Sequence, residues 1–158
     1  MKVKEFNLCL SKIRSGDKTK IKPIYDTYSG LMLLAAFDVV KDCNAANDIM
    51  SDFIKNILDG AADTEYISNP VVWIVATVRN YAAKYTRPQT SIISDTHLTL
   101  LSKSTMQLTD TEREVFYMYY LCNYKLKEIS EVLGRVLIDI KQEVESINKK
   151  LQHIEKHV

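Results

Sequence analysis

The amino-acid sequence predicts an all-α protein. Only 4 Gly and 3 Pro occur among the 158 residues, so positions that break helices are few. Apolar side chains recur every three or four residues through most of the chain, which is the period of an amphipathic helix. Alternating Val, Ile and Thr, the pattern of a half-buried strand, is scarce. The length allows one domain or two small ones.

Composition narrows the class of protein. Hydrophobic residues make up 46% of the chain, too many for a disordered protein. No stretch is apolar enough to span a membrane, and the N-terminal apolar run is too short and too charged for a signal peptide. Cys9, Cys43 and Cys122 form no CxxC pair, which is typical of reduced thiols. We therefore expect a cytoplasmic protein without a membrane partner.

Charge is unevenly distributed, although the net charge is only +1. The residues before Pro23 are rich in Lys, whereas segment 38–65 carries seven acidic residues and two lysines. An acidic helix in a chain that also has basic, aromatic segments indicates two different partners. Ordinary solvated faces would give the same pattern.

Local signals place four helices in the first half of the chain. The first is predicted over Val3–Arg14. Pro23 fits the first turn of the second helix, where its missing N–H does no harm. Asn44 is a suitable N-cap for the third helix. Pro70 begins the fourth helix, after a loop over Asp59–Asn69.

The fourth helix lies in the segment Ser68–Pro88, SNPVVWIVATVRNYAAKYTRP, which ends in a basic and aromatic tail. We expect its Trp73 in the core, because the neighbouring residues are apolar. Cations bind phosphates and rings stack on bases, so the exposed side of this segment suits unwound nucleic acid. A snorkelling surface would look similar.

The character of the sequence changes after this helix. Residues 88–107 are rich in Ser and Thr and weakly periodic, which predicts an interdomain linker with room for a short helical turn. Thr109 then caps a helix, with Glu112 three residues later completing a capping box.

The C-terminal part has the pattern of a helix-turn-helix, in which a short helix, a tight turn and a longer helix follow one another. The short helix is predicted over Leu126–Leu133 and ends at Gly134; the longer one runs from about Val136 to His157. The apolar stripe predicted for the longer helix consists of Val136, Ile140, Val144, Ile147, Leu151, Ile154 and Val158. The second helix of such a motif enters the major groove of DNA.

Four sequence blocks follow one another in a characteristic order. They are Ser15–Asp17 with Ile24–Tyr28, Asn44–Phe53, Trp73–Arg87, and Leu108–Gly134. In this order and spacing they resemble the small two-domain sigma factors of bacterial RNA polymerase, the extracytoplasmic-function (ECF) group of the sigma-70 family. The resemblance implies a four-helix region 2 domain over 1–87, a linker over 88–107 and a helix-turn-helix region 4 domain over 108–158.

The resemblance also implies a function. The chain would be a transcription initiation factor, not an enzyme, that binds the RNA polymerase core enzyme and promoter DNA, melts the promoter, and has room for an anti-sigma factor as a further partner. Asp48, Asp52 and Phe53 would lie on the helix that binds the polymerase. An acidic helix with an aromatic anchor suits a basic, partly apolar protein surface. The alternative is that Phe53 is a plain core residue and both carboxylates are merely solvated.

The DNA contacts implied by the resemblance fall into two groups. The first group, in the loop and the fourth helix, is Tyr66, Arg79, Asn80, Tyr81, Lys84, Tyr85 and Arg87. The second group, on the helix-turn-helix, is Arg135, Lys141 and Gln142. In the first group the tyrosines would stack on an unpaired base, while Asn80 could equally be a helix-packing residue.

The helix-turn-helix departs from the family pattern. Glu143 stands where an Arg is typical, and Glu145 adds negative charge; carboxylates near phosphates weaken DNA binding. Two alternatives therefore stay open: a sigma-like regulator that binds polymerase but reads DNA weakly, and a helical protein–protein adaptor whose last helix binds a partner helix. His153 and His157 share a helical face without a third ligand, so we expect neither a metal nor a cofactor.

Overall fold

A computed structural model describes residues 1–60, 65–85 and 96–156 and confirms the all-α prediction. The helices of these residues are α1 (Val3–Arg14), α2 (Ile21–Val40), α3 (Cys43–Leu58), α4 (Pro70–Ala83), α5 (Thr96–Met106), α6 (Asp110–Phe116), α7 (Leu126–Leu133) and α8 (Leu137–Lys156). A 3₁₀ turn over Lys18–Lys20 precedes α2, and a π-helical turn over Tyr117–Leu121 extends α6. Arg87, predicted to bind DNA, lies outside the described residues.

Helix α2 is the centre of the N-terminal domain, because α1, α3 and α4 all pack against it. Its side chains Ile24, Leu31 and Leu34 are at most 1% exposed. Each such buried aliphatic side chain contributes about 1.5–3 kcal/mol through the hydrophobic effect. The indole of Trp73 packs between two rings, with centroid distances of 6.0 Å to Phe6 and 5.7 Å to Phe53. Trp73 therefore belongs to the scaffold, as expected from its apolar neighbours.

Side chains cap the N-terminal ends of α3 and α4, and the cap predicted for α3 is wrong. Helix α3 is capped by Asp42, whose Oδ1 accepts from the backbone N of Ala45 at 2.9 Å. Asn44, the predicted cap, lies within the first turn, because Asp42 already has the extended backbone that a cap requires. Helix α4 begins at Pro70 as predicted, and the side chain of Asn69 caps it.

The predicted linker contains helix α5, which packs against α2. Its inner side buries Leu98 and two hydroxyl residues, Ser102 and Thr105. The Ser102 Oγ donates to Asp38 Oδ1 at 2.6 Å and accepts from Lys41 Nζ at 3.2 Å. The Thr105 hydroxyl donates to Ser102 O within α5 at 3.0 Å. Because these buried groups are polar and hydrogen-bonded, the helix carries only a weak apolar period, and the sequence pattern did not predict its length.

The helix-turn-helix forms where it was predicted, with Gly134 in the left-handed region at φ +64° between α7 and α8. Ile140, Val144 and Ile147 of α8 are buried. Val136 is 64% exposed, which contradicts its assignment to the apolar stripe. The reason is that α8 begins at Leu137, so Val136 lies in the turn and not on the helix face.

The two helical domains share a continuous core, and the π-helical turn of the C-terminal domain contacts α2 there. Its wide hydrogen bond runs from Cys122 N to Tyr117 O at 3.0 Å. Just beyond it, the hydroxyls of Tyr124 and Tyr28 of α2 lie 2.5 Å apart, and both residues are buried. Burial raises the pKa of Tyr124 to about 12, and it raises the pKa of Tyr28 further, so both phenols stay neutral.

A buried carboxylate ties α6 to α8. Glu112, 6% exposed, completes the predicted capping box with Thr109, whose backbone N donates to Glu112 Oε1 at 3.0 Å. The same oxygen accepts from Lys150 Nζ of α8 at 2.6 Å. Burial raises the pKa of Glu112, but the hydrogen bonds from Lys150 and Thr109 outweigh it and lower the pKa to about 2. The capping box was predicted from sequence; the ion pair across to α8 was not.

We expect this carboxylate to make stability acid-sensitive. Its pKa is about 2 in the fold and 4.5 ordinarily, so its contribution is complete above pH 4.5 and is lost as the pH falls toward 2. E112Q should cost about 1–3 kcal/mol near neutral pH and remove that part of the acid dependence. Urea unfolding at about pH 6 and pH 3 measures both effects. The exposed-site control E131Q should keep the acid dependence; an unchanged slope in E112Q would contradict the assignment.

Three further expectations concern membranes, metals and thiols. Within residues 1–60, 65–85 and 96–156, no helix has the length and apolarity needed to cross a bilayer. The same residues contain no cluster of His, Cys, Asp and Glu side chains suited to hold a metal ion. Cys9 and Cys43 are half-buried, Cys122 is buried, and none of the three forms a disulfide in the described part of the chain.

Candidate nucleic-acid interface

A groove of about 610 Å³ runs between α3 and α4. Its lining residues are Ile49, Asp52, Thr77, Asn80, Tyr81, Lys84 and Tyr85. The groove brings a carboxylate predicted to bind polymerase together with four of the residues predicted to bind DNA. The helical period explains this, since Asn80, Tyr81 and Lys84 are neighbours at the C-terminal end of one helix.

Tyrosines connect the acidic and the basic sides of this groove. The Tyr85 hydroxyl donates to Asp48 Oδ2 at 3.0 Å, so a predicted DNA-binding ring is held by a predicted polymerase-binding carboxylate. Tyr81 lies with its ring centroid 5.9 Å from that of Phe53. Burial, and then the charge of Asp52, raise the pKa of Tyr81. Tyr81 therefore stays neutral at neutral pH, and the contacts of both rings hold them in place beside the groove.

Phe53 itself lies in the core. It is 1% exposed and packs against Trp73 and Tyr81. A side chain so buried cannot touch a partner, so the alternative of a core residue applies and the role of aromatic anchor does not. Phe53 instead fixes α3 so that Asp52 is exposed and Asp48 is half-buried at the surface.

Arg79 lies away from the other residues of its group. It is exposed and lines a second groove, of about 410 Å³, between α4 and α6, together with Val75, Glu114 and Tyr117. In this arrangement Arg79 faces the C-terminal domain and not the groove that contains Tyr81. The sequence predicted that Arg79 and the other DNA-binding residues of α4 form one continuous surface. In the structure Arg79 lines a different groove from Asn80, Tyr81 and Lys84, because it lies on another side of the helix.

Tyr66 is 63% exposed and lies in a third groove, of about 740 Å³, that α1 and α7 also line. The loop beside it is held by Asn7, whose Nδ2 donates to Ile67 O at 2.8 Å and whose Oδ1 accepts from Ile67 N at 2.8 Å. Sequence reasoning missed Asn7, because a single Asn on an amphipathic helix carries no signal of a contact sixty residues away.

On the helix-turn-helix, Arg135 and Glu143 form an ion pair, with 2.5 Å between Nη2 and Oε2. The Glu143 side chain is only 10% exposed, so this carboxylate turns toward the arginine and not outward. Arg135 is correspondingly engaged within the protein. Lys141 and Gln142 are exposed, as DNA binding requires, and Glu145 is exposed beside them.

Comparisons with known proteins bear on both domains. Residues 99–137, from α5 to the first residue of α8, match the model of the family described as Sigma-70, region 4. No curated protein matches the chain. The fold resembles that of CnrH, an ECF sigma factor, in a structure of CnrH in complex with the cytosolic domain of CnrY.

The likeness to CnrH has a TM-score of 0.57 at 14% sequence identity, and it covers 95% of this chain and 96% of that chain. At this identity the likeness shows the fold alone, whereas the match over residues 99–137 runs from α5 to the start of α8. This segment is thus similar to region 4 of sigma-70 proteins, and the chain as a whole has the fold of an ECF sigma factor.

Proposed function

We propose that this chain is a sigma factor that binds the RNA polymerase core enzyme, directs it to promoters and captures the opened strand to start transcription. The observation that carries the proposal is the α3–α4 groove, in which an acidic helix faces the basic and aromatic end of α4. The helix-turn-helix matched to sigma-70 region 4 supplies the second DNA-binding element.

The exposed side of α3 is the proposed polymerase-binding surface. Asp52 is exposed and Asp48 is half-buried, while Asn47 and Ser51 add polar groups on the same side. Opposite charge on a partner steers association and fixes the orientation of docking. A basic surface on the core enzyme is the complementary partner.

The groove itself is the proposed site of strand capture. Its volume of about 610 Å³ is that of a small-ligand pocket, so an unpaired base and its sugar can enter. Lys84 contributes a charge for a phosphate, and Tyr81 and Tyr85 contribute rings for stacking. Capture of a flipped base offsets the few kcal/mol of lost pairing and stacking, and no covalent chemistry is needed.

We also propose an anti-sigma partner. The support is the structure of CnrH, whose fold this chain shares and which is bound there to the cytosolic domain of CnrY. By analogy, an inhibitory partner would be a cytosolic segment that competes for surfaces used by polymerase.

Reconstitution tests the function. Purified chain added to core enzyme should bind it and initiate RNA synthesis at defined sites, which overexpression followed by start-site mapping identifies in cells. Failure to bind the core enzyme would exclude a sigma factor role.

A second candidate is a regulator that binds polymerase but reads DNA weakly. It is favoured by the engagement of Arg135 with Glu143 and by the exposed Glu145. Promoter-specific initiation by chain and core enzyme alone would exclude this candidate. The adaptor alternative has less support, because Ile140, Val144 and Ile147 of the apolar face are buried and α8 packs against α6 and α7.

A further inference from the structure

The outward face of α8 begins with an apolar side chain. Ile138, Gln142, Glu145 and Lys149 are spaced four, three and four residues apart, so they share one side of the helix, opposite the buried Ile140. Ile138 is 56% exposed, and the neighbouring Val136 is 64% exposed. Val136 and Ile138 thus form an apolar tip on the outer side of the helix-turn-helix.

The arginine beside this tip is already engaged within the protein. A guanine is most often recognised by an Arg or Lys that binds its O6 and N7. Arg135, in the turn before α8, is paired with Glu143, with 2.5 Å between Nη2 and Oε2. Lys141 is exposed but lies outside the row of Ile138, Gln142, Glu145 and Lys149, so the first two side chains of that row are an aliphatic and an amide group.

These groups match one base pair. A Gln side chain binds the N7 and N6 amino group of adenine, and an aliphatic side chain packs on the 5-methyl group of thymine. Ile138 and Gln142 are one helical turn apart, so they can engage the same or adjacent pairs in a major groove. We propose that Ile138 and Gln142, assisted by Val136, make this helix-turn-helix selective for A·T pairs through the thymine methyl group. The inference rests on the proposed sigma function and specifies its sequence preference.

Duplex DNA fits this surface better than a protein does. Stable protein interfaces bury about 800 Å² on each partner, far more than the apolar tip exposes. Three exposed lysines lie near the tip. Lys125 precedes α7 and Lys127 lies in its first turn, and in this motif the first helix crosses the DNA backbone. Lys141 lies one turn after Ile138 on α8. These cations are suited to flanking phosphates.

The test compares thymine with uracil, which lacks only the methyl group. Holoenzyme formed from the full chain and core enzyme selects duplexes from a randomised pool at fixed salt. Enriched duplexes are then made with deoxyuridine at each thymine in turn. We expect about fourfold weaker binding for each contacted methyl, at one or two neighbouring positions. I138A should abolish the difference between thymine and uracil, and Q142A should relax the preference for adenine at the adjoining position.

Two exposed sites provide matched controls. Leu8 on α1 is 54% exposed, and Gln152 lies further along α8, so L8A and Q152A repeat the truncations away from the tip. Both should leave the selected sequences unchanged. Because Ile138 is largely exposed, I138A should fold normally, which circular dichroism verifies, and I138V should retain the effect of the methyl group.

Each other outcome overturns the inference. Equal affinity for thymine and uracil duplexes excludes methyl reading while leaving the sigma function intact. Weaker core-enzyme binding by I138A, without a change in base preference, would identify the tip as a protein contact. No enrichment by an enzyme that does bind the chain would favour the weakly reading regulator, and no binding of core enzyme would reject the proposed function as well.

Discussion

Replacing Asp52 by lysine (D52K) should weaken binding of this chain to core RNA polymerase by roughly tenfold to a hundredfold. Asp52 is exposed at the edge of the α3–α4 groove and faces a basic partner surface in the proposed complex. Reversal places like charges against each other, which costs several kcal/mol in a formed interface. Titration of fluorescently labelled chain with core enzyme at constant ionic strength measures the change.

The matched control separates a local contact from a change in net charge. Asp110 on α6 has a side chain that is 99% exposed, so D110K makes the same substitution in the other domain. We expect D110K to bind core enzyme within about twofold of the original chain, because Asp110 lies outside α3 and its exposed ion pair with Arg113 contributes little. Equal weakening by both variants would indicate a general charge effect and refute the assignment of α3 as the docking helix.

The F53A variant should lose about 3–5 kcal/mol of unfolding free energy, the largest loss we expect from a single substitution. Phe53 is 1% exposed, and its ring lies against Trp73 and Tyr81. Truncation removes buried apolar surface and leaves a cavity that rigid neighbours fill only in part. A loss of this size is a large fraction of the 5–15 kcal/mol typical of a folded domain. Urea denaturation followed by Trp73 fluorescence reports it directly.

L8A is the control for this variant as well, since Leu8 is 54% exposed and should cost well under about 1 kcal/mol. The more conservative F53L should fall between the two. A destabilisation by F53A below about 1 kcal/mol, together with a large loss of polymerase binding in a folded protein, would restore Phe53 as a direct contact. Otherwise, any binding defect should parallel the fraction of unfolded chain.

Sequence patterns predicted the elements that depend on local rules. The bounds of α1 and α7 and the start of α4 at Pro70 follow from apolar period, capping and breakers acting within a few residues. Helix α5 was underestimated because Ser102 and Thr105 are buried against α2, and a hydroxyl gives no apolar signal. The cap of α3 was assigned two residues late, since Asp42 and Asn44 are both good capping residues.

In the candidate site, local sequence patterns predicted the type of residue but not the contacts of each side chain. Composition indicated that acidic and basic-aromatic segments matter, and the fold places Asp52 beside Tyr81 and Lys84. The sequence could not reveal which side chains are already engaged by others. The pairing of Arg135 with Glu143 depends on the turn between α7 and α8, and a carboxylate that looked like a repulsive group lies in an ion pair within the protein.

Because of the π-helical turn over Tyr117–Leu121, the docking of the two domains depends on the number of residues in this segment. A π turn closes its hydrogen bond over five residues, one more than an α turn, as Cys122 to Tyr117 does here. A homologue with one residue fewer in this segment could keep every side chain of the pair and still rotate Tyr124 about 100° away from Tyr28. Insertions and deletions in this segment, more than substitutions, would then decide which relatives keep their two helical domains docked against each other.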